Sequence, residues 1–167
     1  MWKISDNLMR RGILEALFEQ NIMPIGSIMK KDVASLDHTK TAYDAAILMM
    51  KKGVGCVVVT AYGKPFGMIT ESDIVCAVTG LNMPLENLIL SFLASRPLIY
   101  AKPYQTVEEV ADIMRKYNIR RLPIVDGDKI VGLVTVRDLA MLLSPIPEIL
   151  VCKNYASMDI TRTIILE

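Results

Sequence analysis

The sequence is poor in the residues from which metal sites and catalytic centres are built. It has one histidine, His38, and three widely spaced cysteines, Cys56, Cys76 and Cys152. An odd, scattered set of thiols excludes a disulfide framework and a CxxC knuckle, and a lone histidine leaves no Cys/His zinc site. No Ser/His/Asp set, paired-carboxylate cleft or Walker-type loop occurs, so no catalytic residue and no metal ligand is assigned. Charge of one sign is also lacking. Nineteen basic against eighteen acidic residues, with no long block of either, exclude nucleic acid as the main partner, because phosphate-backbone binding needs concentrated Lys and Arg. Long apolar runs are missing as well, although 52% of the residues are apolar and mean hydropathy is +0.36. The most apolar region, 85–100, is broken by Arg96 and closed by Lys102 and Pro103, far short of the roughly 18–20 residues that span a bilayer. No membrane partner is expected, and the surplus apolar surface goes to a core or, as we favour, partly to a subunit interface. The opening MWKISDNLMRRGILEALFEQ mixes charges through its apolar positions and reads as an amphipathic helix, not a secretion signal. A reducing cytoplasm fits the thiols. With 167 residues the chain can bury a core without covalent staples.

What is present is a repeat. GMITESDI (67–74) matches GLVTVRDL (132–139), and one ungapped shift of 65 residues takes Thr70 to Thr135 and Asp73 to Asp138. The same shift takes Thr41 to Thr106, Ala46 to Ala111, Met49 to Met114, Lys64 to Lys129 and Gly67 to Gly132. Self-similarity held in register over such a length marks a duplicated structural unit.

Each copy can be read by periodicity. Ala42, Ala45, Ala46, Met49 and Met50 form one helical apolar face, and Val107, Val110, Ala111 and Met114 repeat it. Thr41 with Asp44, and Thr106 with Glu109, are spaced as capping boxes. Then come two β-branched runs, 56–60 and 66–70 in one copy, 122–125 and 130–135 in the other, joined by Ala-Tyr-Gly-Lys or Asp-Gly-Asp-Lys: a hairpin. A second helix runs to about Thr79 or Leu143. With short leading strands at 33–36 and 98–101, each copy reads strand, helix, strand, strand, helix. The expected fold is α/β in the α+β sense: two tandem β-α-β-β-α repeats, 25–80 and 85–143, whose open sheet faces cover each other about a pseudo-twofold axis. An N-terminal helical extension (1–24, helix at about 5–19) and a C-terminal extension (144–167) of one or two strands flank them.

Thr-x-x-Asp at 70–73 and 135–138 reads in two ways. The pair can cap its helix, hydroxyl on a first-turn amide and carboxylate reaching back. A helix N-terminus with open amides is equally a phosphate site, and an aspartate at its third position can accept both hydroxyls of a ribose. Arg120 and Arg121 open a strand, where successive side chains face opposite ways, so one arginine can serve each of two clefts, or both are a solvated strand end. The first copy has Gly55 and Cys56 there and Val58 in place of Pro123.

These residues together carry a family resemblance. NIRRLPIVDGDKIVGLVTVRDL and its partner GVGCVVVTAYGKPFGMITESDI resemble a tandem pair of cystathionine beta-synthase (CBS) domains, a Bateman module, over roughly Ile25 to Leu143. The resemblance implies a regulatory module without chemistry of its own that binds adenosyl ligands (AMP, ADP, ATP, sometimes S-adenosylmethionine), with no required cofactor and commonly as a homodimer through its helices. It implies Asp73 and Asp138 as ribose anchors, with Thr70 and Thr135 on phosphate or ribose and Arg120 and Arg121 on phosphate. It implies adenine slots from Val33, Ala34, Val54 and Gly55 for the Thr135 and Asp138 cleft, and from Leu98, Ile99 and Ile119 for the Thr70 and Asp73 cleft. Any of these apolar residues also fits plain core. His38 is read as a surface or capping residue and Cys76 as core, while Tyr100, Tyr104 and Tyr117 can stack on a base or, as we favour, pack. The alternatives are a protein-interaction scaffold with vestigial clefts, an S-adenosylmethionine sensor, and, least supported, an enzyme fragment regulated in cis. A sensor without a catalytic domain acts on a separate target protein or on self-assembly.

Overall fold

The computed structural model describes residues 23–143. The helix expected at 5–19, the C-terminal strands and Cys152 lie outside the described residues.

In the first copy, strand β1 (Ser35–Asp37) leads to helix α1 (Ala42–Lys52), the hairpin β2 (Cys56–Ala61) and β3 (Lys64–Thr70), and helix α2 (Glu71–Leu81). A short helix α3 (Leu90–Leu93) follows, then in the second copy α4 (Val107–Tyr117), β4 (Arg121–Asp126), β5 (Lys129–Thr135) and α5 (Val136–Leu143). The capping boxes form as the spacing predicts: Thr41 accepts from the Asp44 amide and Thr106 from the Glu109 amide, with both carboxylates returning to the threonine N–H. The helices stop where the chain turns left-handed, at Gly53 (φ 62) and, 65 residues on, Asn118 (φ 52). Asparagine tolerates that region better than most side chains, which is how the second copy manages without glycine.

The two hairpins share one register. Cys56 pairs with Thr70 and Arg121 with Thr135, and each has a bulge at the same place, Val59/Thr60 and Ile124/Val125. The leading strands differ. In the first copy β1 runs parallel to β2, with Leu36 opposite Val59. In the second, the expected strand at 98–101 shrinks to a single parallel bridge, Ala101 to Ile124. Two prolines explain this. The first-copy ladder uses Val58 N–H to Ala34 O (2.9 Å) and His38 N–H to Thr60 O (2.7 Å). The equivalent donors fall on Pro123 and Pro103, which have none.

The chain divides into two compact units that cut across the repeats: 34–96 forms one, and 23–33 with 97–143 forms the other. The segment ahead of the first copy therefore packs on the second. Ile25 donates to Gln105 O (2.7 Å) and is fully buried beside Val110, Leu122 and Val134. The segment ahead of the second copy packs on the first in the same way: Leu90 donates to Lys40 O (2.8 Å) and is fully buried with Val57, Val59 and Ile69. Burying each such side chain contributes about 1.5–3 kcal/mol, which anchors the lead-in segments. Each segment then crosses its sheet at a glycine. A Cβ on Gly67 would lie 2.9 Å from Ser95 O, and one on Gly132 would collide with Met29. Backbone bridges follow at once, Ser95 with Met68 and Lys30 with Leu133, again 65 residues apart.

Several side chains depart from expectation. Cys76 is exposed, not core: α2 buries only Ile74 and Ala77, and Val75, Val78 and Leu81 are also exposed. Tyr100, Tyr104 and Tyr117 are exposed too, Tyr104 and Tyr117 lying under the ammonium groups of Lys102 and Lys116. His38 is half-buried between the rings of Tyr62 and Phe66.

Candidate functional site

Asp73 and Asp138 stand at the strand-to-helix joints where β3 enters α2 and β5 enters α5. The helix turns there because the preceding strand's neighbour supplies an acceptor: Gly55 O takes the Glu71 amide (3.3 Å) and Arg120 O the Val136 amide (3.0 Å). Positions 55 and 120 thus work through their backbone, a role their side chains do not announce.

At Asp73, the Thr70 N–H and Oγ1–H donate to Oδ2 at 2.8 and 2.7 Å, and the Asp73 amide donates to Thr70 Oγ1 at 3.3 Å. At Asp138 the set is the same: 2.8 and 2.7 Å from Thr135 to Oδ2, and 3.2 Å back to Thr135 Oγ1. The cap is therefore real, and it spends the threonine's single hydroxyl proton on the carboxylate. Thr70 and Thr135 fix their aspartate; as they stand they have no proton to offer a phosphate. Thr41 and Asp44 form the same box on α1, so the motif alone is not diagnostic.

What such a box leaves for a ligand is the second oxygen, at Asp44 as at Asp73. A carboxylate has about four lone-pair positions, two on each oxygen. The box fills those on Oδ2 and leaves Oδ1. Asp73 is half-buried and its Oδ1 has no partner among the described residues. That oxygen can accept a vicinal pair of hydroxyls without disturbing the helix. Asp138 differs: its Oδ1 takes the Lys30 ammonium at 2.9 Å, with the Asp138 side chain only 13% exposed. Burial would raise the Asp138 pKa, but the Lys30 and Thr135 hydrogen bonds outweigh it and hold the group below the usual carboxylate value. Lys30 escapes a motif search. Its signal in the sequence is a mismatch, since the 65-residue shift sets it on Ser95.

Arg121 is half-buried opposite Thr135, while Arg120, just ahead of β4, is exposed. Both thus stand at the joint that carries Asp138. Leu98, Ile99 and Ile119 belong to the same compact unit as Asp138, and Ile99 and Ile119 pack against its core. Val33, half-buried, is also in that unit. Ala34, Val54 and Gly55 belong to the unit of Asp73, where Ala34 is core and Val54 packs against it. Val54 and Ile119 are equivalent: each donates its amide to the last turn of the preceding helix, at 3.0 and 2.9 Å. Among the described residues no cluster of His, Cys, Asp or Glu could hold a metal ion, and no helix is long and apolar enough to cross a membrane.

Known proteins share the duplicated unit. The sequence profile of the CBS domain matches twice, at residues 25–80 and 90–145. An uncharacterised protein of Methanopyrus kandleri is 35% identical over 117 residues, 69% of this chain and 60% of the relative. The CBS domain-containing protein YhcV of Bacillus subtilis is 34% identical over 113 residues, 68% of this chain and 80% of its own length. This chain thus spans about three-fifths of the first relative's length and four-fifths of the second's. Among solved structures, the CBS domain pair of protein MJ0100, in complex with 5′-methylthioadenosine and S-adenosyl-L-methionine, superposes with a TM-score of 0.66 at 28% identity, covering 73% of this chain and 96% of that one. Two tandem profile matches, laid on the two copies that the 65-residue shift relates, establish that the chain belongs to the CBS-domain family.

Proposed function

We propose that this chain is a regulatory module without catalytic activity, binding adenosyl ligands, AMP, ADP or ATP, through a ribose diol held by Asp73 and Asp138. The observation that carries the reading is the Oδ1 of Asp73, without a partner among the described residues, on a half-buried carboxylate at the strand-to-helix joint that both CBS repeats place alike. Arg120 and Arg121, at the Asp138 joint, supply guanidinium donors suited to phosphate. In this reading the adenine slots draw on Val33, Ala34, Val54 and Gly55 and on Leu98, Ile99 and Ile119, which are apolar residues and one glycine. Thr70 and Thr135 act as positioning residues. S-adenosylmethionine is the alternative ligand, supported by the complex of MJ0100.

The exposed apolar residues of α2, Val75, Val78 and Leu81, with Met141 on α5, support self-association through these helices into a homodimer. A separate target protein then reads the ligand-dependent state. A second reading, an interaction scaffold, is favoured by Phe92 on α3, 81% exposed. Calorimetry with AMP, ADP, ATP and S-adenosylmethionine separates the two. The sensor binds at least one of them, and Asp138→Ala weakens binding at that anchor by about several-fold to a hundredfold, the worth of hydrogen bonds to a charged group. A wild-type protein that binds none at millimolar concentration, yet co-purifies with a stoichiometric partner, is a scaffold.

A further inference from the structure

The two anchors are related by sequence yet differ in charge. Lys30 and Ser95 occupy the same place in the fold: each follows a crossing over a buried glycine and bridges the last strand of its hairpin. Lys30 N–H donates to Leu133 O and Leu133 N–H to Lys30 O, both at 2.9 Å; Ser95 N–H donates to Met68 O at 2.9 Å and Met68 N–H to Ser95 O at 3.4 Å. From that place the Lys30 side chain reaches Asp138 Oδ1 at 2.9 Å. Serine is too short and carries no charge, and its neighbour Arg96 lies over the Phe66 ring at 5.1 Å.

Resting on the adenosyl-binding reading above, we infer that Lys30 makes the Asp138 anchor selective for ligands with an anionic 5′ substituent, while the Asp73 anchor lacks this discrimination. Lys30 acts in two ways. Without ligand it occupies one of the two lone-pair positions that Oδ1 offers, so a ribose diol at Asp138 must displace it. Once displaced, its ammonium is tethered beside the sugar, one ring away from the 5′ position. A 5′-phosphate gives the ammonium a new counter-charge. A neutral nucleoside strands it, and a sulfonium adds a like charge. Its 65% side-chain exposure leaves the stem free to swing between the two partners. Asp73 Oδ1 has no such competitor among the described residues, so neutral and cationic adenosyl ligands meet no counter-selection from its lead-in segment.

The test uses the full chain with Asp73→Asn, which leaves Asp138 as the intact anchor, and AMP, adenosine and S-adenosylmethionine as probes in calorimetry. AMP is expected to bind about tenfold or more tightly than adenosine, with the preference falling as salt is raised. Adding Lys30→Met is expected to shrink the AMP:adenosine ratio at least about threefold and to strengthen adenosine itself. In the mirror background, Asp138→Asn, the change Ser95→Lys is expected to create the same preference at Asp73. A ratio unmoved by Lys30→Met while both ligands still bind overturns the inference and leaves the sensor reading standing. Wild-type protein that binds none of the probes overturns both. A ligand-free measurement closes the remaining route: the Asp138 carboxyl carbon followed by NMR titration is expected to move to higher pKa in Lys30→Met, and coincident curves overturn the inference whatever the ligands do.

Discussion

Replacing Asp73 with asparagine separates the two uses of one carboxylate. The asparagine carbonyl can take the place of Oδ2 and accept from the Thr70 N–H and Oγ1–H, now at 2.8 and 2.7 Å, so the turn into α2 keeps its geometry. What it loses is charge. A hydrogen bond to a charged group is worth about 1.5–3 kcal/mol and one between neutral groups about 0.5–1.5, so two weakened bonds cost about 2–3 kcal/mol. The lost negative charge at the helix N-terminus adds about 0.3–1 kcal/mol. Asp73→Ala removes the acceptor altogether, leaves the half-buried Thr70 N–H unmatched, and costs more, about 3–6 kcal/mol for the two bonds lost. In binding the two variants are expected to behave alike, because asparagine sets an NH2 donor where Oδ1 stood and a ribose hydroxyl finds no acceptor. Urea unfolding followed by circular dichroism gives the stabilities, and calorimetric stoichiometry gives the binding. The expected pattern is a graded loss of stability, Asn before Ala, with equal loss of the Asp73 equivalent of ligand. Asparagine as costly as alanine, or Asp73→Asn with wild-type stoichiometry, refutes the division of labour between the two oxygens.

Two further outcomes follow from the packing and from the charge at Asp138. Gly67→Ala drives a Cβ to 2.9 Å from the Ser95 carbonyl, a backbone atom that cannot rotate away, and is expected to cost about 1–3 kcal/mol in denaturant unfolding; a neutral result would mean that the lead-in segment does not hold this position. The folded-state pKa of Asp138 is depressed, so its contribution to stability is present above the ordinary carboxylate value of about 4 and is lost as pH falls through the lower, folded value. The stability gap between wild type and Asp138→Asn is therefore expected to be widest near neutral pH and to close under acid; a gap that widens on acidification contradicts the Lys30 and Thr135 pairing.

Much of the fold was open to reading because the chain states it twice. The 65-residue shift locates both hairpins, all four threonine boxes and both fully buried anchors, Ile25 and Leu90, even though only some of these look like motifs by themselves. Periodicity could not say which copy a lead-in segment joins, since pairing with one hairpin or its duplicate satisfies the same hydrophobic pattern. It also overrated the second leading strand. The prolines at 103 and 123 were visible, but their effect depends on which amides the ladder needs. Cys76 was misjudged for another reason: apolar content on a helix says that a face is buried only when a single face is apolar, and α2 has more than one. At the site, the aspartates were found by type and spacing. The split between Oδ1 and Oδ2 and the reach of Lys30 are matters of direction, which a one-dimensional pattern does not hold.

The most direct trial of the ribose anchors removes their counterpart from the ligand. Binding of AMP is compared with that of its 2′,3′-dideoxy analogue, identical in base and phosphate, by calorimetry on the wild-type chain. Loss of the hydroxyls that the carboxylates accept is expected to weaken binding by about ten- to a hundredfold. Equal affinity for the two would show that Asp73 and Asp138 do no more than cap their helices.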